Sequence, residues 1–441
     1  MSTRRKITER FLTRSILLGF AAYAVSANAD QSTPAYPATP PAAADANQPS
    51  QAASLSEAIK DGQLLLDLRP RYEYVDQDNK PEEADAITLR TLLGWKTKPF
   101  LDLSATVQFI DVSHIGDDDF NDTENGKIRF PTVADPEETD VNLLYLDYSG
   151  LPDTRVRLGR QGVVLDNQRF IGNVGFRQVM QVFNGVTVEN KGLLPNTELY
   201  AGYLGRIRNI FAQEKEADIW IARAAYDWSP GNKLIAYSYL HDQEKTVSNT
   251  GLDDSSNRIL GVRADGAYPI KEDVRLLYTA EYAHQDDYED GNSLIDAGYW
   301  HLGIGAGLPQ IYGRIDYEKL ESNDGKYAFQ TPLGTNHAFQ GWADLFLTTP
   351  KTGIEDWYGT VGAKAWGIDF FVSYHEFESD TQSIDFGSEW DAAITYPIPF
   401  LKGLTAKLEY ADFDKDDVVA GNATTDTQKF WFTVNYVFGA K

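Results

Sequence analysis

From residue 64 onward, apolar and polar positions alternate with a period of two. In LLLDLRPRYEYV, Leu66, Leu68, Pro70, Tyr72 and Tyr74 share one face, and Asp67, Arg69, Arg71 and Glu73 share the other. That alternation predicts a β-strand with one apolar and one charged side. The rhythm returns in Ile87 to Trp95, in Leu101 to Phe109, and in Val274 to Tyr282, where Arg275, Thr279 and Glu281 lie opposite the apolar set. It returns again in Ile368 to Tyr374 and in KFWFTVNYVF, where Phe430, Phe432, Val434, Tyr436 and Phe438 share a face. Counting such segments gives roughly 18 strands of about ten residues, the length a tilted strand needs to cross a bilayer.

The connections alternate in length. Short ones fall at Lys98 to Phe100, Gly150 to Asp153, Ser229 to Gly231, Gly307 to Pro309 and Pro397 to Gly403. Between them lie long loops such as the acidic Gly116 to Asp140 and the segment from Glu321 to Lys351. Short turns at one end and long loops at the other are the layout of an all-β transmembrane antiparallel barrel of about 18 strands. A secreted β-sandwich has locally similar strands, with its apolar faces packed inside. Aromatics near predicted strand ends (Tyr72, Tyr74, Trp95, Trp228, Tyr396, Tyr410 and Phe438) favour the barrel, since girdles sit there. No run of 18 apolar residues exists, which excludes a bundle of membrane-spanning helices.

Ahead of the strands, Leu55 to Gly62 predicts one short helix, capped by Ser54 or Ser56 and ended by Gly62. Residues 30–54 are a Pro/Ala-rich stretch without large apolar residues, expected to be a disordered periplasmic leader. Residues 1–29 carry a basic start, a ten-residue apolar core (Ile16 to Val25) and Ala27-Asn28-Ala29, the pattern of a signal peptide cleaved near Ala29. The expected barrel is thus residues 55–441. Net charge is -25; the leader segment 1–29 holds five bases and one acid, so the remainder carries -29. A surface that acidic argues against nucleic acid as a partner. The chain has no cysteine, consistent with an oxidising compartment.

Against that acidity, Thr154 to Gln178 (TRVRLGRQGVVLDNQRFIGNVGFRQ) holds five arginines and one acid, Asp166. Arg155 and Arg157 fall on one face of a strand expected over Thr154 to Leu165, and a bulge at Gly159 would swing Arg160 inward. Asp166 to Gln178 reads as a loop. Folded into the lumen it narrows the pore with Arg169 and Arg177; left outside it meets lipopolysaccharide phosphates, and its low acidity favours the first. Alternation places Asp67, Arg69, Arg71, Arg90, Lys96, Arg223, Arg263, Arg275, Arg314, Asp316, Glu318, Glu389, Asp391, Lys407 and Glu409 on the lumen face. Guanidinium groups stay charged and fork onto carboxylates, either those of a solute or those of the wall itself. A second segment, QTPLGTNHAFQGWADLFLTTP, is too apolar at Phe339, Trp342, Phe346 and Leu347 to stand in water. It is expected to be a constriction loop marked by Phe339, Trp342 and Asp344. A sugar-stacking platform at Trp342 or Trp357 is the alternative.

The motifs GRQxxxxDNQRFIGNVGFRQ and AFQTPLGTNHAFQGWADLFLTTPKTGIEDWYG, with SLSEAIKDGQ, LRPRYEYVD and ITLRTLLGWKT, resemble the alginate-export porin family of Gram-negative outer membranes. The resemblance runs from Leu55 to Lys441. It implies an 18-stranded barrel passing an anionic uronate polymer, with Arg69, Arg71, Arg90, Arg155, Arg157, Arg160, Arg169 and Arg177 as anion contacts.

Catalytic signatures are absent. The six histidines are scattered, and there is no G-x-S-x-G, H-E-x-x-H, P-loop or dinucleotide fingerprint. The run Asp117-Asp118-Asp119 with Asn121 and Asp122 lacks EF-hand spacing and reads as a solvated acidic loop. The expectation is a monomeric, cofactor-free and metal-free outer-membrane channel, in contact with lipid and lipopolysaccharide, passing polar or anionic solutes. Its alternatives are a general or cation-preferring porin and a plugged structural or adhesive barrel.

Overall fold

A computed structural model describes residues 51–243, 255–416 and 424–439. The expected signal peptide and nearly all of the expected leader lie outside the described residues. One helical turn, α1 (Leu55–Lys60), opens the described chain; the Ser54 hydroxyl accepts from the Glu57 amide at 3.2 Å. The helix ends two residues before Gly62, with Asp61 as its C-cap. It is tied to the wall by the Trp95 indole, which donates to the Ile59 carbonyl at 2.9 Å.

The strands follow in sequence: β1 (Gln63–Gln77), β2 (Ala84–Lys96), β3 (Leu103–Asp119), β4 (Glu138–Leu151), β5 (Thr154–Gln161), β6 (Val182–Asn190) and β7 (Thr197–Arg208). Next come β8 (Glu214–Ser229), β9 (Asn232–Gln243), β10 (Asn257–Lys271), β11 (Val274–Asp287), β12 (Asp296–Gly307) and β13 (Ile311–Leu320). A two-residue pair, β14 (Ser322–Asn323) and β15 (Tyr327–Ala328), decorates the longest loop. The wall resumes with β16 (Ile354–Ala365), β17 (Ile368–Glu378), β18 (Asp385–Pro397), β19 (Leu404–Lys415) and β20 (Thr427–Val437).

Every wall strand pairs antiparallel with its chain neighbours in one 18-stranded sheet, and β1 pairs with β20, Tyr72 opposite Phe432. Closure leaves no edge with unpaired amides, the condition for strands to stand in hydrocarbon. The expected short turns fall at one end and the long connections at the other. The acidic run at 117–119 extends β3 rather than opening a loop.

Burial follows the period-two pattern, and its sense decides between barrel and sandwich. Apolar side chains at alternate positions point outward and are open: Ile304 is 63% exposed, Ile315 61%, Leu158 59% and Leu144 56%. Their charged neighbours point inward and are buried. A sandwich would bury the first set; a shell of exposed Leu, Ile and Val around the whole molecule suits only lipid. Four cross-strand pairs ring this outer surface near the long-loop end: Tyr203–Trp220, Tyr282–Trp300, Tyr317–Trp357 and Tyr374–Trp390, with ring centroids 4.4 to 4.7 Å apart. Amphipathic rings of this kind anchor a barrel at the membrane interface. Trp357 belongs to this ring. Because Asp356, Tyr358 and Thr360 take the inward positions of β16, Trp357 faces outward, which removes it as a sugar-stacking platform in the lumen.

Candidate functional site

Two loops enter the lumen, residues 162–181 between β5 and β6 and the central part of 321–353 between β13 and β16. They are bonded first to each other. The Gly172 amide donates to the Leu333 carbonyl at 2.9 Å, and the Thr335 amide to the Gln168 carbonyl at 2.9 Å. Gln181 Nε2 reaches the Gly172 and Leu333 carbonyls together. Glycine is required where the two backbones meet: a Cβ on Gly172 would stand 2.2 Å from Thr335 Oγ1, and one on Gly334 2.3 Å from the Arg169 carbonyl oxygen. Apolar side chains from both loops (Phe170, Ile171, Phe176, Leu333, Trp342 and Phe346) join inward wall residues in one core. Trp342 stacks on Phe371 with centroids 5.1 Å apart. Leu347, expected inside by its apolarity, is exposed instead, at the far end of the segment.

Arg169 and Arg177 both lie inside, as ties between loop and wall. Arg169 Nε is 2.8 Å from Glu318 Oε1 on β13, its Nη2 donates to Gln340 at 2.8 Å, and Phe339 stacks under it at 4.5 Å. Arg177 sits between Glu73 of β1 and Asp344 of the second loop, 3.1 Å from each. Burial opposes its charge, but Glu73, Asp135 and Asp344 outweigh burial and raise its pKa. Burial likewise opposes the Asp344 carboxylate, yet His337 at 2.6 Å, Lys429 at 2.8 Å and Arg177 hold it well below the usual carboxylate range.

The wall arginines divide into two groups. Arg90 pairs with Asp67 at 3.0 Å, Arg157 with Asp147 at 2.7 Å, Arg223 with Asp166 at 2.6 Å and Glu198 at 2.8 Å, and Arg263 with Glu281 at 2.8 Å. Arg155 pairs with Glu189, and Arg314 forks onto Asp316. Arg160 does not enter through a bulge: register is regular at Gly159, and Arg160 braces Asp140 and Glu214 at the long-loop ends of β4 and β8. The second group has no carboxylate partner among the described residues. Arg69 donates to Gln178 Oε1 at 2.9 Å and to the Gly175 and Arg177 carbonyls. Arg71 donates only to Thr433 Oγ1 at 3.2 Å; its Nη1 is buried without a partner, and Phe176 lies over it at 4.3 Å. Arg275, on the inward parity of β11, is exposed at the short-turn mouth and has no ion-pair partner among the described residues.

Sequence reasoning left out the polar residues that hold the loops in place: Gln178, whose side chain bonds Arg69 and Thr88, Thr335 and Gln181. The density of Gln, Asn and Thr in the two motifs was the available signal. A further cluster of titratable groups lies elsewhere on the wall. His375 of β17 stands 3.0 Å from Asp356 and 3.1 Å from Ser373 Oγ, distances that match a nucleophilic triad. Here Ser373 is buried, and charge developing on an attacked carbonyl would meet the Asp391 carboxylate, 3.6 Å from His375, rather than donors. Among the described residues no group of three or more His, Asp or Glu side chains is arranged to hold a metal ion.

A closed wall that is apolar outside, charged inside and crossed by loops is that of a porin-type outer-membrane barrel. The chain belongs to the Alginate export family, whose family model matches residues 63–313, more than half of its length. No curated protein sequence matches it. Among solved structures it is similar to Acinetobacter baumannii OccAB3 (12% identity, TM-score 0.67, covering 86% of this chain and 100% of that one). It is likewise similar to Pseudomonas aeruginosa OccK9 (OpdG), at 15% identity and TM-score 0.66, and to Pseudomonas aeruginosa OpdL, at 17% and 0.63, each covering 86% of this chain and 99% of that one. At these identities the likeness concerns the fold.

Proposed function

We propose that the protein is a passive outer-membrane channel for polar, anionic solutes, with an anionic polysaccharide of the uronate type as the first candidate. The observation that carries this reading is Arg71, buried in the lumen with no carboxylate beside it and Nη1 without a partner. Burying an unpaired guanidinium costs several kcal/mol, so such a group is poised to take an anionic partner. The paired arginines have spent their charge on the wall. Arg71 is capped by Phe176, so a solute reaches it when the 162–181 loop shifts aside; Arg275 would meet the solute at the short-turn mouth. Transport would need no cofactor, guanidinium groups replacing part of the solute's hydration as it moves down its gradient. Export after signal-peptide cleavage near Ala29 and action as a monomer belong to the same reading.

Liposome swelling tests it. Vesicles holding the refolded chain should admit uronate oligomers faster than neutral oligosaccharides of equal length. Equal rates would remove the anion preference. No swelling with any solute would favour a second reading, for which the dense bonding between the two loops speaks: a barrel closed by its own loops and serving a structural role.

A further inference from the structure

The second loop is held against the wall by two unlike anchors. At one, Glu318 is ion-paired with the Arg169 guanidinium and accepts from Gln340 Nε2 at 2.8 Å and the Tyr299 hydroxyl at 2.7 Å. At the other, residues 341–343 lie on two carboxyls of β18. The Ala343 amide donates to Glu389 Oε1 at 2.7 Å, and the approach is so close that a Cβ on Gly341 would stand 2.3 Å from Glu389 Oε2. The Trp342 amide faces Asp391.

Asp391 is fully buried, and although the Trp342 amide faces it neither of its oxygens completes a hydrogen bond of ordinary geometry; Glu389 Oε2 is buried without one too. The two side chains are i and i+2 on one strand face, within hydrogen-bond reach of each other. Two carboxylates offer only acceptors, so they bond only when one carries a proton. Like charges in a buried site keep a proton between them. Beyond them, His375 links Asp391 to Asp356. Among the described residues none of Asp356, His375, Glu389 and Asp391 makes an ion pair with lysine or arginine. The neighbouring charges are engaged elsewhere: Glu318 with Arg169, Glu409 with Lys407, and Asp344 with Arg177, Lys429 and His337. Protons alone therefore set the charge of this cluster, which titrates as a unit.

We propose that protons shared by Asp356, His375, Asp391 and Glu389 latch the 341–346 segment inside the barrel, and that raising the pH releases it and widens the lumen. Each proton lost makes the cluster one charge more negative, and the cations within electrostatic range, Lys429 near Glu389 and Arg169 near Asp356, are already bonded to Asp344 and Glu318. The least costly relief is water, and the segment seated on Glu389 and Asp391 occupies the way in. No solute reaches Asp391 in the docked state, so the proton is the ligand the site takes. His337 works in the opposite direction at lower pH. Burial holds its pKa down, so acid below its ordinary value protonates the released form first and loosens the loop. The release described here therefore belongs to neutral and alkaline pH.

This inference rests on the channel reading, and two measurements separate their failures. The first is bilayer conductance of the full chain between about pH 6 and 9, the range in which buried carboxyls lose a retained proton. Wild type should gain conductance several-fold as pH rises; Asp391→Asn and Glu389→Gln, permanently uncharged, should stay at the low level. Wild type and Asp391→Asn sharing one pH profile would overturn the latch. The second uses the absence of cysteine in the described chain: a nitroxide on Leu347→Cys reports loop mobility by spin resonance whether or not current flows. The label should mobilise over the same pH range. A label equally immobile throughout would overturn the latch, whereas a mobilising label with no conductance at any pH would support the latch and overturn the channel reading.

Discussion

Arg263 and Arg71 are the same residue type on the same inward face, yet their surroundings are opposite. Arg263 on β10 is enclosed by Glu281 and Asp265, and Tyr237 completes the set by donating to Glu281. Arg71 on β1 has one threonine oxygen and the face of Phe176. The difference teaches that counting arginines on a lumen wall overstates its positive field. Most are braces that cross-link neighbouring strands, and only the few left without acids are available to a passing anion.

The largest effect is expected where a buried pair loses its cation. Arg177→Ala leaves Glu73 and Asp344 facing each other without it and should weaken loop docking by about 3–5 kcal/mol, read as a rise in conductance and in protease cleavage of the second loop. Arg263→Gln should cost about the same, but in barrel stability, measured by urea unfolding in lipid, because it strands Glu281 rather than a loop. Arg71→Gln should leave stability within about 1 kcal/mol, since no carboxylate is orphaned, and should lower anion preference. Arg275→Ala, at the wet mouth, should change stability by less than about 0.5 kcal/mol. Acid offers a further test. Asp344 has its pKa held down in the docked loop, so its contribution is present above the ordinary carboxylate value and is lost only as pH falls through the depressed one. Loop protection contributed by Asp344 should therefore survive through about pH 4; loss of that contribution at pH 5, isolated by comparing Asp344→Asn, would contradict it.

The wall was legible from sequence because one physical rule governs it. A strand between lipid and water must alternate, so Leu66, Leu68 and Tyr72 against Asp67, Arg69 and Arg71 announce both the strand and its orientation. The entry of Asp166 to Gln178 into the lumen was legible from its want of acids. Arg160 was not: a glycine before it gave no way to tell a bulge from a regular strand end, and one of the acids it braces, Glu214, comes from β8, three strands further on. Trp357 and Leu347 failed for a related reason. Apolarity says that a side chain leaves water, not whether it enters core or lipid, and for Trp357 only the register of β16 decides. Pairing was the least legible property, because Arg223–Asp166 and Arg177–Glu73 are set by the docking of a loop against wall strands far from it in sequence.

The most direct test of the central claim, that unpaired Arg71 rather than the paired wall arginines sets the preference for anions, is the reversal potential of single channels across a KCl gradient. Wild type should show anion preference, Arg71→Gln should move the potential toward zero, and the double variant Arg157→Gln with Asp147→Asn, which removes a pair of no net charge, should leave it nearly in place. A potential unmoved by Arg71→Gln but shifted by that double variant would contradict the account.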